Sequence, residues 1–205
     1  MKSRNHYLLS LLFAVCFLFV FSAFASADQT LTFEGFADGT VLTTQYPGIN
    51  FQGATILQEN GSVTFYNYQQ FPPHSGIDVV YNPSGPMQLV FSTPISYFEG
   101  YVTYNAGMTI QGFNASNVLV DTATGAWSAN YIGSGQNPNE LLEIQGANIT
   151  TVVLTGGGGN NFTLDDVTFS GSIDVNAVPE PATMLLLGSG LIGLAGYGRR
   201  KFFTK

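Results

Sequence analysis

Two carboxylates stand side by side in Leu164-Asp165-Asp166-Val167, and a third, Glu34, follows Phe33 near the other end of the same stretch of chain. Adjacent carboxylates repel unless something neutralises them, and Ca2+, which takes roughly six to eight oxygens, is a cation that flexible backbone carbonyls can help to bind. On a regular strand consecutive side chains point to opposite faces, so only one of the two aspartates is expected to reach a given site. A second grouping is Tyr97-Phe98-Glu99-Gly100-Tyr101. Strand alternation places Tyr97, Glu99 and Tyr101 on one face and Phe98, Val102 and Tyr104 on the other. Tyrosine rings flanking a carboxylate suit the faces and hydroxyls of a saccharide. His74 beside Ser75 offers a base next to a hydroxyl, but neighbours on an extended loop diverge and no Gly-x-Ser-x-Gly elbow is present. Glu99, Glu140 and Glu143 are further carboxylates, and nothing in their spacing selects the pair, roughly 5 to 9.5 Å apart, that glycoside hydrolysis requires.

Other chemistries are excluded by composition. The stretch from Asp28 to Val178 contains no Lys and no Arg, while twelve of the thirteen Asp and Glu fall within it, a formal charge of −12. Nucleic-acid binding through the phosphate backbone, an arginine clamp and a catalytic lysine are therefore ruled out there. The single cysteine, Cys16, lies outside the stretch, so disulfides, thiolate catalysis and cysteine-based zinc sites are ruled out as well.

The elements that must position these groups are strands. Short runs rich in Val, Ile, Thr, Phe and Tyr alternate with Gly, Pro, Asn and Ser clusters. They are Thr30–Phe33, Gly48–Phe51, Ser62–Tyr66, Ile77–Tyr81, Met87–Phe91, Tyr97–Tyr104, Met108–Phe113, Val118–Val120, Leu141–Gln145, Thr151–Leu154 and Phe162–Phe169. No window carries a helical stripe with caps. About eleven short strands predict an all-β domain over residues 28–178, a single β-sandwich of jelly-roll type. Gly156–Gly159 lacks the Gly-Lys-Ser/Thr ending of a phosphate loop and reads as the turn before the last strand.

The flanks read as targeting segments. Lys2 and Arg4 precede an apolar run from Tyr7 to Phe24, and Ala25-Ser26-Ala27 follows it as a signal-peptidase site, so residues 1–27 are expected to be a cleaved signal peptide. At the other end, Pro179-Glu180-Pro181 leads into the apolar stretch Ala182–Tyr197 and then Arg199-Arg200-Lys201. Sixteen residues at 1.5 Å rise make a marginal membrane span, and the basic cluster behind it is expected to stay cytoplasmic. This arrangement of motif, transmembrane helix and basic end over residues 179–205 resembles the PEP-CTERM sorting signal. The resemblance implies a Gram-negative bacterium, recognition by an exosortase near Pro179, transient anchoring in the inner membrane, and a final place at the cell surface or in extracellular polysaccharide matrix.

The central stretch has a resemblance of its own. Phe33-Glu34-Gly35, Asp38-Gly39-Thr40, Thr44–Phe51, Pro72–Gly76 and Phe162–Phe169 resemble an extracellular domain common among PEP-CTERM proteins, and the first and last of these look like the terminal strands of carbohydrate-binding jelly rolls. That likeness implies a structural Ca2+ held by Glu34 with Asp165 or Asp166. The expectation is thus a non-enzymatic, exported surface or matrix protein, binding polysaccharide across Tyr97, Glu99 and Tyr101. A passive matrix component and a secreted glycan-active enzyme are the alternatives.

Overall fold

The computed structural model describes residues 28–61, 67–82 and 85–170. The expected signal peptide, sorting motif, transmembrane helix and the strand at 62–66 lie outside the described residues, among which no helix is long and apolar enough to cross a membrane. The described chain forms ten strands: β1 (Gln29–Leu31), β2 (Val41–Leu42), β3 (Ile49–Gln52), β4 (Ala54–Gln58), β5 (Asp78–Tyr81), β6 (Met87–Tyr104), β7 (Met108–Phe113), β8 (Leu119–Thr124), β9 (Glu140–Gly156) and β10 (Phe162–Phe169). One helical turn, α1 (Gly157–Asn160), separates β9 from β10.

All ten strands belong to one antiparallel hydrogen-bonded network, and two strands long enough to serve both layers fold it into a sandwich. The first part of β6 pairs with β3 through Ile49↔Phe91 and with the end of β9 through Leu89↔Val152. Its second part pairs with β10 through Leu164↔Val102 and with the start of β9 through Phe98↔Ile144. Between the parts the β6–β9 register shifts on either side of Ile95↔Ile149. The local chemistry explains the break. Pro94 has no N–H for the ladder, and Asn148 opposite takes a left-handed φ of 63°. One layer is therefore β2–β4–β5–β10 with the second half of β6 and the first half of β9. The other is β3 with the remaining halves, then β7 and β8. This is the jelly-roll-type sandwich that the sequence pattern predicts, and β1, the first strand, pairs with β10, the last, at Leu31↔Val167.

The core fills the space between the layers with alternate residues of each strand. Phe98 and Val102 of β6, Ile144 and Val152 of β9 and Leu164, Val167 and Phe169 of β10 are fully buried. Phe91 links the layers through its ring contacts with Phe169 at 5.2 Å and Phe98 at 6.4 Å. At the end where the chain enters, Phe33, Phe36, Phe51 and Tyr46 form a second aromatic group with centroid distances of 5.7 to 6.3 Å. Edge-to-face packing of this kind adds to the area term, and the number of rings makes a core without disulfides sufficient.

Candidate functional site

The three predicted metal-binding carboxylates converge on one short loop. Asp165 Oδ2 accepts the backbone N–H groups of His74 at 2.8 Å and Ser75 at 3.0 Å, and Oδ1 accepts that of Asp166 at 2.7 Å. Asp166 Oδ2 lies 2.6 Å from His74 Nδ1, and Oδ1 accepts the Ser75 hydroxyl at 2.9 Å. Glu34 Oε1 accepts the N–H groups of Ile77 and Asp78, both at 3.0 Å. Gly76 sits inside this clamp with φ 56°, where any Cβ would collide with the Glu34 carboxylate.

The expectation that only one aspartate could reach a site is corrected here. β10 carries a bulge between Asp165 and Thr168, with Asp166 at φ 42°, so Leu164 and Val167 both face the core while the two aspartates between them serve the same loop. Burial, opposed by the Ser75 N–H and assisted by the neighbouring Asp166 charge, lifts the Asp165 carboxyl to about 6. Among the described residues no group of three or more His, Asp or Glu side chains is arranged to hold a metal. Glu34, Asp165 and Asp166 thus each spend carboxylate oxygens on the 74–78 loop. They act as a hydrogen-bonded clamp on the 74–78 loop.

Tyr97, Glu99 and Tyr101 lie on the outer face of β6, opposite buried Phe98 and Val102, as alternation requires. Their cross-strand partners on β9 are Gln145, Glu143 and Leu141. The Tyr101 ring is already stacked on the His74 imidazole, 3.4 Å between centroids and 9° from parallel, so one of its faces is taken by the clamped loop. Burial, with the hydrogen bond to Glu99 next in weight, holds the Tyr97 phenol far above its ordinary value. Tyr97, Glu99 and Tyr101 are each half-buried on this face.

A different site was missed from sequence. At one end of the sandwich the loops bounded by 67–72, 105–107 and 125–135 meet the β9–β10 turn and leave an open cleft of about 240 Å³ lined by Gln70, Phe71, Asn105, Tyr131 and Asn161. Phe71 and Tyr131 stack with ring centroids 5.9 Å apart and planes 18° from parallel. Gln70 fixes the pair by accepting the Gly133 N–H on its side-chain oxygen at 2.8 Å and the Ile132 N–H on its backbone carbonyl at 3.1 Å. Asn130, wholly buried, anchors the loop below. It accepts the Tyr104 N–H at 2.7 Å and donates to the Val102 carbonyl at 2.9 Å. Tyr104 in turn donates to Glu140 at 2.5 Å and accepts the Trp127 N–H at 3.2 Å. Asn105 Oδ1 is buried in the wall of the cleft with no hydrogen-bond partner. Among the described residues the lining contains no carboxylate, amine or imidazole. Sequence could have raised Gln70-Phe71 and Tyr131 only through loop aromatics, because no local period connects positions sixty residues apart.

The tail identifies itself on comparison with known families. Residues 177–201 match the PEP-CTERM protein-sorting motif. The motif marks the chain as exported and exosortase-processed, as the resemblance of its last residues implied. No curated protein matches the sequence significantly. Solved structures of similar layout include a family 6 carbohydrate-binding module from Clostridium stercorarium in complex with cellobiose, at 12% identity and TM-score 0.37, covering 68% of this chain and 99% of that one. A variant of the family 29 module CBM29-2 matches at 13% identity and TM-score 0.39, covering 75% and 99%. A β-1,3-glucan binding CBM6 from Bacillus halodurans matches at 10% identity and TM-score 0.32, covering 67% and 100%. The site assignment rests on the geometry of this chain alone.

Proposed function

We propose that this is a non-catalytic polysaccharide-binding protein of the cell surface or extracellular matrix, delivered there by its PEP-CTERM motif, with the loop-end cleft as its saccharide site. The observation that carries the reading is the stacked Phe71–Tyr131 pair, which lines the cleft together with the amides of Gln70, Asn105 and Asn161. A sugar ring has an apolar face and a rim of hydroxyls, which are the two features this wall complements. The cleft lining favours binding over turnover, since hydrolysis needs two carboxylates across the scissile bond and the described lining residues include none.

The charge narrows the ligand. With twelve acids and no Lys or Arg between Asp28 and Val178, the domain repels polyanions, so a neutral glycan is the expected partner. The signal peptidase at Ala27, an exosortase at Pro179-Glu180-Pro181 and a membrane helix before processing complete the proposed route in a Gram-negative host. Retention of the purified protein on neutral polysaccharides in affinity gels, against its Phe71→Ala and Tyr131→Ala variants, tests the reading. Equal retention of all three would refute it.

A further inference from the structure

The cleft and the sorting end of the chain leave the sandwich at opposite poles, because one strand joins them. β10 starts at Phe162, directly after the cleft residue Asn161, and ends at Phe169. Its partner β6 runs the other way, with Phe162↔Tyr104 at the cleft end of the pair and Phe169↔Phe98 at the far end. Asn105, which also lines the cleft, follows Tyr104, and its backbone N–H donates to the Asn161 carbonyl at 3.2 Å. Eight strand residues at about 3.3 Å rise set the poles roughly 20 Å apart once the bulge is allowed for.

The exit pole is pinned. Ser170 N–H donates to the Tyr97 carbonyl at 3.1 Å, and the Ser170 hydroxyl accepts the Ser96 N–H at 3.0 Å. β1 lies at the same pole, with Gln29 opposite Phe169 and the Thr30 and Thr168 hydroxyls 3.0 Å apart. Between the poles β10 is paired on both edges, to β6 on one and to β5 and β1 on the other, and Phe162, Leu164, Val167 and Phe169 are wholly buried. It is therefore a stiff spacer between the cleft and the chain that leads to the sorting motif at residues 177–201. Charge acts in the same direction. Twelve acids and no Lys or Arg between Asp28 and Val178 repel anionic lipid headgroups, so the domain does not lie down on a membrane that carries them.

We propose that the domain is a two-ended tether, which holds a neutral polysaccharide at the cleft pole while the apolar stretch at 182–197 still holds the chain in a bilayer at the other. The proposal rests on the saccharide reading of the cleft and adds that glycan capture does not wait for release of the sorting segment. The polymer is gripped on the side away from the lipid, so one chain bridges membrane and matrix. Chains side by side on one membrane grip the same polymer at several points, which raises the apparent affinity without any new contact.

Protein exported from a host without exosortase, with residues 179–205 intact, tests the arrangement. It is placed on preformed vesicles of phosphatidylcholine with a minority of phosphatidylglycerol, and separately in detergent micelles, and titrated with the neutral polysaccharide that retains the wild type in affinity gels. Wild type that floats with the vesicles is expected to bind at least as tightly as wild type in micelles, and Phe71→Ala on vesicles at least about fivefold more weakly. Binding in micelles that is lost on vesicles, or a wild type that does not float with them, would overturn the tether and leave the saccharide reading intact. Binding in neither setting would overturn the saccharide reading and the tether with it. Trp127, the chain's only tryptophan, reads the geometry without a ligand or a variant. It sits on the 125–135 loop at the cleft pole, where its backbone N–H donates to the Tyr104 hydroxyl at 3.2 Å. Lipid with a nitroxide headgroup, a contact quencher, is expected to leave the Trp127 emission of the floated protein unchanged. Quenching of Trp127 by that lipid would place the cleft against the membrane and overturn the proposal.

Discussion

Replacing Asp165 by Asn separates the charge of the clamp from its hydrogen bonds. The aspartate is 1% exposed and its carboxyl is raised from 3.8 to about 6, burial being the largest cause. For an acid whose folded value is raised, the folded state holds a proton that the unfolded state has already released. Its contribution is therefore fully present below about pH 4 and is lost as pH rises through 6. Two units at about 1.36 kcal/mol each make the loss on the order of 2–3 kcal/mol. The amide of Asn can still accept from His74 and Ser75 N–H, but its NH2 would face the Asp166 N–H that Oδ1 now accepts at 2.7 Å. That mismatch costs about 1 kcal/mol at every pH. Urea unfolding in EDTA from pH 4 to 7 should thus show two crossing curves, with the wild type more stable by about 1 kcal/mol at pH 4 and the variant more stable by about 1–2 kcal/mol at pH 7. Asp78, also raised by burial, tilts both curves alike and cancels in their difference. Parallel curves, or a wild type gaining on the variant as pH rises, would refute the reasoning.

Three further outcomes follow from the same structure. Asn130→Ala removes the anchor of the 125–135 loop and strands the Tyr104 N–H and the Val102 carbonyl, so denaturation should show a loss of about 3 kcal/mol, and glycan retention should weaken with it. Binding of neutral polysaccharide should be unchanged between low and moderate salt, because the domain has no Lys or Arg to form screened contacts; a steep salt dependence in affinity gels would contradict this. In a host with exosortase, intact-mass analysis should find mature protein ending near Pro179, and mature material still ending at Lys205 would contradict the sorting route.

The strands were legible because alternation is a local signal. Met108–Phe113 and Phe162–Phe169 have the boundaries that the sequence predicts, and Phe98 and Val102 face inward as expected. The two longest strands were each read as two, since Ser92–Ser96 and Gly146–Asn148 interrupt the pattern while the backbone continues through a bend. β4 was missed because Ala54–Gln58 follows β3 after a single glycine and gives no separate turn signal. The β10 bulge was invisible for a different reason. Asp166 in the left-handed region changes which face a side chain takes without changing any residue type. The loop-end cleft joins Phe71 to Tyr131 and Asn105 to Asn161, contacts that only the finished sandwich creates.

The central claim is that the Phe71–Tyr131 surface, and not the Tyr97–Tyr101 face, holds the saccharide. Calorimetric titration with a soluble oligosaccharide of whichever neutral polysaccharide retains the wild type decides it, using Phe71→Ala, Tyr131→Ala and the double variant Tyr97→Ala with Tyr101→Ala. Loss of one stacked ring is worth on the order of 1 kcal/mol or more. Either cleft variant should therefore bind at least about five- to tenfold more weakly, while the double variant matches the wild type. Full binding by both cleft variants, with binding lost in the double variant, would contradict the account.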